Sequence, residues 1–319
     1  MTGHEETQEL RQAAFAIAYR MLGSVADAED VVQEALLRYH RKARDETIDS
    51  PVAFLTTVTT RLAIDSLRRA RARRETYAGP WLPEPLLTDQ APDVAEQAET
   101  ADSLSLAFLV LLESLSPVER AVFLLHDVFD YGYDEIAGIV RESEDNCRQL
   151  AARARRHVEE KRPRFETSRQ ERERLAAAFF AACEAGELQA LVGLLSHDVV
   201  LYGDGGGKAP AAPKPVFGRE KVIHLLMAIA TQSRKAGIRA RPAEVNGQPG
   251  ALFTDRPGRI VYLMSLDIAD GLVQTVRSIV NPDKLGHLGP LADLAELAEQ
   301  AKAAARRPGN GSVPHRGDN

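Results

Sequence analysis

Cysteine is nearly missing from this 319-residue chain. Only Cys147 and Cys183 occur, both inside helical patterns, which argues against a disulfide scaffold or a cysteine-rich zinc cluster. Long apolar runs are missing too. No stretch reaches the roughly 20 apolar residues of a spanning helix, and MTGHEETQEL at the start carries neither a basic leader nor an apolar segment. The expectation is a cytoplasmic protein without membrane association. Positive charge is not in excess: the formal net charge of -6 argues against coating nucleic acid by bulk electrostatics. DGGGK at 204–208 is no phosphate-binding loop, since Lys208 is followed by Ala-Pro where GxxxxGK needs Ser or Thr. Nothing has the spacing of a metal cluster, and no cofactor is expected.

What is present is 44% hydrophobic content, enough for two or three ordinary cores. Arginines crowd into 61–74 and 148–164, while acidic residues concentrate in 27–34 and 84–102. Local DNA contact combined with an acidic surface for a basic protein partner fits this pattern; so do two solvated helix faces.

Apolar residues at Leu10, Ala14, Ile17 and Met21, then at Ala28, Val32, Ala35 and Tyr39, have the period of amphipathic helices separated by Gly23-Ser24. Ser50-Pro51 reads as an N-cap and first helical position, opening a helix to about Arg74. Residues 1–77 are therefore a predicted helical domain. Four prolines and many acids make 78–102 a linker, yet Trp81, Leu82, Leu86 and Leu87 are too apolar to stay in water, so this part is expected to dock on another domain. Residues 103–163 form a second helical domain, with a capping box at Ser116-Pro117-Val118-Glu119, a cap at Asp134, and another at Ser143 before the last helix. Its short-spaced final helices have the helix-turn-helix arrangement. Residues 168–290 read as helices followed by a curling sheet, with four antiparallel strands over 238–280: an α+β cone. A terminal helix over 291–305 and a disordered tail complete 291–319.

On the last helix of the second domain, Leu150, Ala151, Ala154 and Val158 share the core face. Asn146, Arg148, Gln149, Ala152, Arg153 and Arg156 are left outward, a mixture able to read base edges in a major groove, and the helix start near Ser143 can meet a phosphate. A solvated amphipathic helix tolerates the same residues. Arg61, Arg68, Arg69, Arg71, Arg73 and Arg74 give the long helix a positive side for backbone phosphates, though without an aromatic stacking cluster, and an exposed helix end is the plain alternative. His197, Asp198, Asp204 and His224 could compose an acid–base site, but no spacing enforces their proximity, and surface or satisfied-core roles are favoured.

AYRMLGSVADAEDVVQEALLRYHR with PVAFLTTVTTRLAIDSLRR resembles the second conserved region of extracytoplasmic-function sigma factors, of the sigma-70 family. LSPVERAVFLLHDVFDYGYDEIAGIVRESEDNCRQLAARAR resembles their fourth. WLPEPL at 81–86, DGGGK at 204–208 and NPDKL at 281–285 resemble signatures of the subgroup with a C-terminal SnoaL/NTF2-like domain. The resemblance implies a non-enzymatic subunit that directs core RNA polymerase to promoter DNA, tuned by its own C-terminal domain in place of a separate anti-sigma protein. It implies polymerase contacts at Asp27, Glu29, Asp30, Gln33 and Glu34. Contacts to the downstream promoter element fall at Arg61, Asp65, Arg68 and Arg69, and to the upstream element at Ser143, Asn146, Arg148, Gln149 and Arg153. An interdomain regulatory set follows from the three signatures: Trp81, Leu82, Pro83, Glu84 and Pro85; Asp204, Gly205, Gly206, Gly207 and Lys208; Asn281, Pro282, Asp283, Lys284 and Leu285. A small-molecule ligand or protein partner of the third domain stays open, as does an enzymatic cone using Tyr202, His224 or Asp204. Many relatives carry glycine in the turn before Ser143, where this chain has Arg141-Glu142, which leaves that turn's geometry open.

Overall fold

Gly23 ends the first helix because the chain must turn there through φ +64°, a left-handed conformation that glycine adopts without steric cost. Helix α1 (Gly3–Leu22) precedes it, and Ser24 then caps α2 (Val25–Asp45) by accepting from the Asp27 amide. Ser50 does the same for α3 (Pro51–Glu75), accepting from the Ala53 amide at 3.3 Å. The computed structural model describes residues 3–89, 103–159 and 167–299, without the side chains of 3–6 and 71–75. The side chains of Arg71, Arg73 and Arg74, the acidic half of the linker at 90–102, and the tail therefore lie outside the described residues.

The second helical unit comprises α4 (Leu106–Leu112), α5 (Pro117–Asp127), α6 (Tyr133–Val140) and α7 (Glu144–Glu159). Ser116 and Glu119 form the expected reciprocal cap. The cap expected at Asp134 lies instead at Gly132, whose N–H donates to the Glu135 carboxylate at 3.0 Å; Tyr133 is already helical, so Asp134 falls in the first turn. Arg141 closes α6 at φ +62°, with its own amide and that of Glu142 both donating to the Ala137 carbonyl. The turn thus has a left-handed geometry without glycine, at a strain of about 1–2 kcal/mol.

The two helical units share one buried cluster, in which Ile17, Met21 and Val32 lie with Phe108, Leu112 and Leu124. Buried Arg120 ties them, donating to the carbonyls of Met21 and Leu112, each at 2.6 Å, and pairing with Glu113 at 2.8 Å. Such a guanidinium is tolerated in a core because both terminal nitrogens meet oxygens, although its buried Nε has no partner among the described residues.

The third unit starts with α8 (Arg169–Ala185) and α9 (Leu188–Leu194). Then come β1 (Leu195–Asp204), β2 (Val216–Phe217), α10 (Arg219–Ala236), β3 (Arg239–Val245), β4 (Gln248–Thr254), β5 (Ile260–Ala269) and β6 (Leu272–Ile279). The four antiparallel strands read from sequence are part of a six-stranded mixed sheet of order β2-β1-β6-β5-β4-β3, since β1 pairs parallel with β6 and carries β2 on its outer edge. Helices before a curled sheet give the α+β cone. Alternation along the strands divides the sheet's two faces. Phe179, Leu226, Leu266 and Val276 belong to the core under the helices; Leu252, Leu263 and Ile279 form a separate cluster with Leu82 of the linker and Leu106 of α4. The sheet is therefore buried on both sides, one by its own helices and one by the rest of the chain. Of the helix read over 291–305, residues 294–299 are helical and 300–305 lie outside the described residues.

Candidate regulatory junction and nucleic-acid interface

After α3 the chain runs extended across the sheet domain, and Asp204 at the end of β1 holds it. The fully buried Asp204 carboxylate accepts from the Tyr77 hydroxyl at 2.5 Å and the Leu82 amide at 2.8 Å, and it pairs with Lys284 Nζ at 2.7 Å. Lys284 also donates to the Leu82 carbonyl, and its ammonium stands 4.4 Å from the Trp81 ring centroid and 4.8 Å from that of Tyr77. Asn281 donates from Nδ2 to the Tyr77 hydroxyl at 2.8 Å. A Cβ on Gly206 would stand 2.2 Å from Asn281 Nδ2, so this position requires glycine twice over, for space and for its φ of +57°. Tyr77 is held protonated well above the ordinary phenol range, chiefly by burial and next by its bond to the Asp204 carboxylate.

The linker then reaches the first helical unit. Glu84 acts as a second cap for α2: its carboxylate accepts from the Ser24 hydroxyl at 2.9 Å and from the amides of Val25 and Ala26 at 2.7 and 3.2 Å. An anion there meets both orphan donors and the positive end of the helix dipole. The Trp81 ring stands where a Cβ on Gly23 would be 3.0 Å away, so any other residue at the α1–α2 corner would crowd it. Pro85 offers its carbonyl to His287 at 2.7 Å. Leu87 forms a bridge to Val245, and the Thr88 amide and hydroxyl bond to Glu244. Of the fifteen residues assigned to this junction, Trp81, Leu82, Asp204, Asn281 and Lys284 meet directly, whereas Glu84 bonds to α2 and Pro85 to His287; Lys208 pairs with Asp283 at 2.6 Å on the exposed rim.

Sequence reading missed Asn246. At φ +53° in the β3–β4 turn it exchanges bonds with Leu86, accepting from its amide and donating to its carbonyl. Its Nδ2 donates to Tyr19 Oη of α1 at 2.7 Å and to the Leu104 carbonyl at 2.9 Å. One amide side chain thus joins linker, first helical unit, second helical unit and sheet. Asn246-Gly247 is a hairpin-turn dipeptide, but nothing in its spacing signals that the side chain turns inward. Tyr77, Tyr19, His287 and Thr88 were missed for the same reason.

The helical units present their named residues differently. At the start of α7 the capping Ser143 is exposed, as are Arg148, Gln149 and Arg153 on the helix, and Cys147, Leu150, Ala151, Ala154 and Val158 are buried. Arg148 pairs with Glu144 and sits 5.1 Å over the Tyr133 ring, while half-buried Asn146 donates to Glu142 at 2.8 Å. On α2, Asp30 and Gln33 are exposed and Asp27 is half-buried; Glu29 pairs with Arg11 and Glu34 with Arg38. On α3, Asp65, Arg68 and Arg69 face outward. Arg61 does not: Nε donates to the Ile139 carbonyl and Nη2 to that of Gly138, both at 2.8 Å, at the carbonyl end of α6. Burial, and next the charge of Arg141, lowers the Arg61 pKa. Thr56 and Tyr131 add a hydroxyl contact at 2.8 Å across the same boundary.

The acid–base candidates do not converge. His197 and Asp198 are bonded to one another at the exposed surface, exposed His224 contacts its own helix at the Glu220 carbonyl, and Asp204 is engaged by the linker. Among the described residues no three His, Cys, Asp or Glu side chains form a metal-binding group, and no helix is long and apolar enough to cross a membrane.

The family description Sigma-70 region 2 matches residues 7–73, and Sigma-70, region 4 matches 105–158. The chain is 39% identical over 289 residues to the ECF RNA polymerase sigma factor SigJ of Mycobacterium tuberculosis, covering 88% of this chain and 92% of that protein. It is 32% identical over 276 residues to the probable ECF RNA polymerase sigma factor SigI of that species, covering 85% and 91%. The crystal structure of M. tuberculosis SigJ superposes with a TM-score of 0.72 at 36% identity, over 90% of this chain and 99% of that one.

Proposed function

Because this chain belongs to the extracytoplasmic-function sigma factors, whose work is promoter-specific transcription initiation, we propose that its sheet domain is a built-in regulator that clamps the two promoter-reading units together through the linker. Sigma factors bind core RNA polymerase and promoter DNA. On this reading the α2 residues Asp27, Glu29, Asp30, Gln33 and Glu34 face polymerase. Asp65, Arg68, Arg69 and, once released, Arg61 meet the downstream promoter element; Ser143, Asn146, Arg148, Gln149 and Arg153 of α7 read the upstream one. The observation that carries it is the Asp204–Lys284 pair closed over the Leu82 peptide, with Arg61 engaged at α6 at the same time. A helix whose basic side is bonded to its neighbour's carbonyls cannot offer that same guanidinium to a phosphate. Release of the linker separates the two units, and polymerase then holds them in place on DNA, where binding both elements through one body multiplies their modest affinities.

We read the sheet domain as non-catalytic, supported by the separation of its titratable groups, and the site of action as the cytoplasm, where polymerase and promoter DNA are. Run-off transcription with purified core polymerase tests the proposal. Full-length protein is expected to stimulate specific transcripts, and Lys284→Met to stimulate them several-fold more at limiting sigma concentration. Equal output from both proteins would remove the clamp, and output no greater than that of core enzyme would count against promoter direction itself.

A further inference from the structure

On the helix-covered face of the sheet, across from the linker, lies a cavity of about 770 Å³. That is the size range of sites for drug-sized molecules. Its walls are mainly aliphatic, and Leu294 and Leu297 of the C-terminal helical segment form part of them. Arg259 of the β4–β5 turn holds that segment by pairing with Glu296 at 3.1 Å. The polar features are few: the Tyr262 and Ser233 hydroxyls, bonded to each other at 3.0 Å, then Gln232 and Ser278, with exposed Lys235 as the one charged side chain of the lining. Among the described lining residues there is no carboxylate or imidazole, and so no countercharge for a cationic ligand.

We propose that this cavity binds an uncharged, largely apolar small molecule with a single hydrogen-bonding group facing the Tyr262–Ser233 pair, and that its occupancy is coupled to the linker clamp. The coupling is covalent in its path. Gly203 and Val280 of the wall are the immediate neighbours of Asp204 and Asn281, and the Val280 and Asn281 amides both donate to the Asp204 carbonyl, at 2.8 and 2.9 Å. Pro210, Ala211 and Ala212, also in the wall, continue the DGGGK loop. A Cβ on Gly203 would lie 3.1 Å from the Ala212 amide nitrogen, so loop and strand are in close contact. A ligand that shifts either wall shifts the groups holding Leu82. The coupling rests on the clamp proposed above; binding to the cavity does not.

The test is a titration of the full chain with N-phenyl-1-naphthylamine, a neutral apolar fluorophore with one N–H. Saturable one-site binding is expected, weakened tenfold or more by Ala228→Trp or Ala298→Trp. Both residues are exposed at the mouth, so the folded protein can carry the larger ring there, with circular dichroism and melting as controls. Should one variant fail to fold, the other decides. No saturable binding, or binding indifferent to the folded variant, overturns the site. For the coupling, Lys284→Met is expected to change the probe's affinity fivefold or more, and saturating probe to change the exchange protection of the 78–88 amides of the unmodified chain by the reciprocal linkage. An affinity unchanged by Lys284→Met overturns the coupling while binding stands, and the clamp is judged separately by transcription.

Discussion

Lys284→Met should undo the junction without undoing the fold. Methionine keeps most of the apolar stem but removes the ammonium, which leaves the buried Asp204 carboxylate with only the Tyr77 hydroxyl and the Leu82 amide, and the Leu82 carbonyl without the lysine. Breaking one side of a buried ion pair costs about 3–5 kcal/mol. The ammonium's position over two rings adds about 0.5–1 kcal/mol for each, not additively. Taking about 4 kcal/mol in all, the docked-to-free equilibrium of the linker falls by roughly a thousandfold. Hydrogen exchange read by mass spectrometry reports it, because the Leu82, Glu84, Leu86 and Thr88 amides are each bonded in the docked state. Peptides spanning 78–88 are expected to lose protection while those in β5 and β6 keep theirs. The double variant Asp204→Asn with Lys284→Met should recover part of the loss, since no charge is then left buried alone. Unchanged linker protection would refute the reasoning, and so would loss of protection spread evenly over the sheet, which would make Lys284 a core residue of that domain.

Glu84→Ala is expected to lower stability by about 1–2 kcal/mol in urea unfolding, through the lost cap, with faster exchange at Val25 and Ala26. Gln149→Ala and Arg153→Ala should leave the melting temperature unchanged, both being exposed, and reduce binding of upstream-element DNA by polymerase holoenzyme by about 1–3 kcal/mol where they make base contacts; competition with altered promoter sequences checks this. Burial pushes the Cys183 thiol up to about 12 and holds the Tyr19 and Tyr77 phenols above their usual range, so the folded state prefers all three protonated. The stability they confer is complete below their unfolded values, near 9 to 10, and is lost as pH rises beyond them; the melting temperature should fall from about pH 9 upward, and iodoacetamide at pH 8 should label Cys183 far more slowly in native than in unfolded protein.

The helices were legible because their signals are local. Ser24, Ser50, Ser116 and Ser143 each sit beside the helix that their oxygens cap, and the buried face of α7 follows from a spacing of three and four residues. The parallel pairing of β1 with β6 was not legible, since about 70 residues separate the two strands and no turn joins them. The junction was legible only in part. Asp204, Lys284 and Asn281 stand in short unusual segments, but Tyr77, Asn246 and His287 act through partners 127, 160 and 202 positions away, and nothing in the chain near them records that partner. Arg61 shows the converse. Its arginine-rich surroundings suggest a phosphate contact, and only the fold reveals that the α6 carbonyl end already holds its guanidinium.

Energetically, the proposed clamp divides the recognition surfaces into two groups. Asp30 and Gln33 on α2, and Arg148, Gln149 and Arg153 on α7, are exposed while the linker is docked; Arg61 is engaged. On the proposed reading, polymerase can therefore touch α2 before the units separate, whereas placement on both promoter elements requires separation. If only the separated form completes the assembly, the apparent affinity for polymerase is the intrinsic one reduced by the separated fraction. A clamp with a closed-to-open ratio of a thousand weakens assembly a thousandfold, and loosening it strengthens assembly only until the open form predominates. Lys284→Met and Glu84→Ala should therefore not multiply in transcription: whichever alone brings the protein near that ceiling leaves the other little to add, although their effects on linker exchange continue to accumulate.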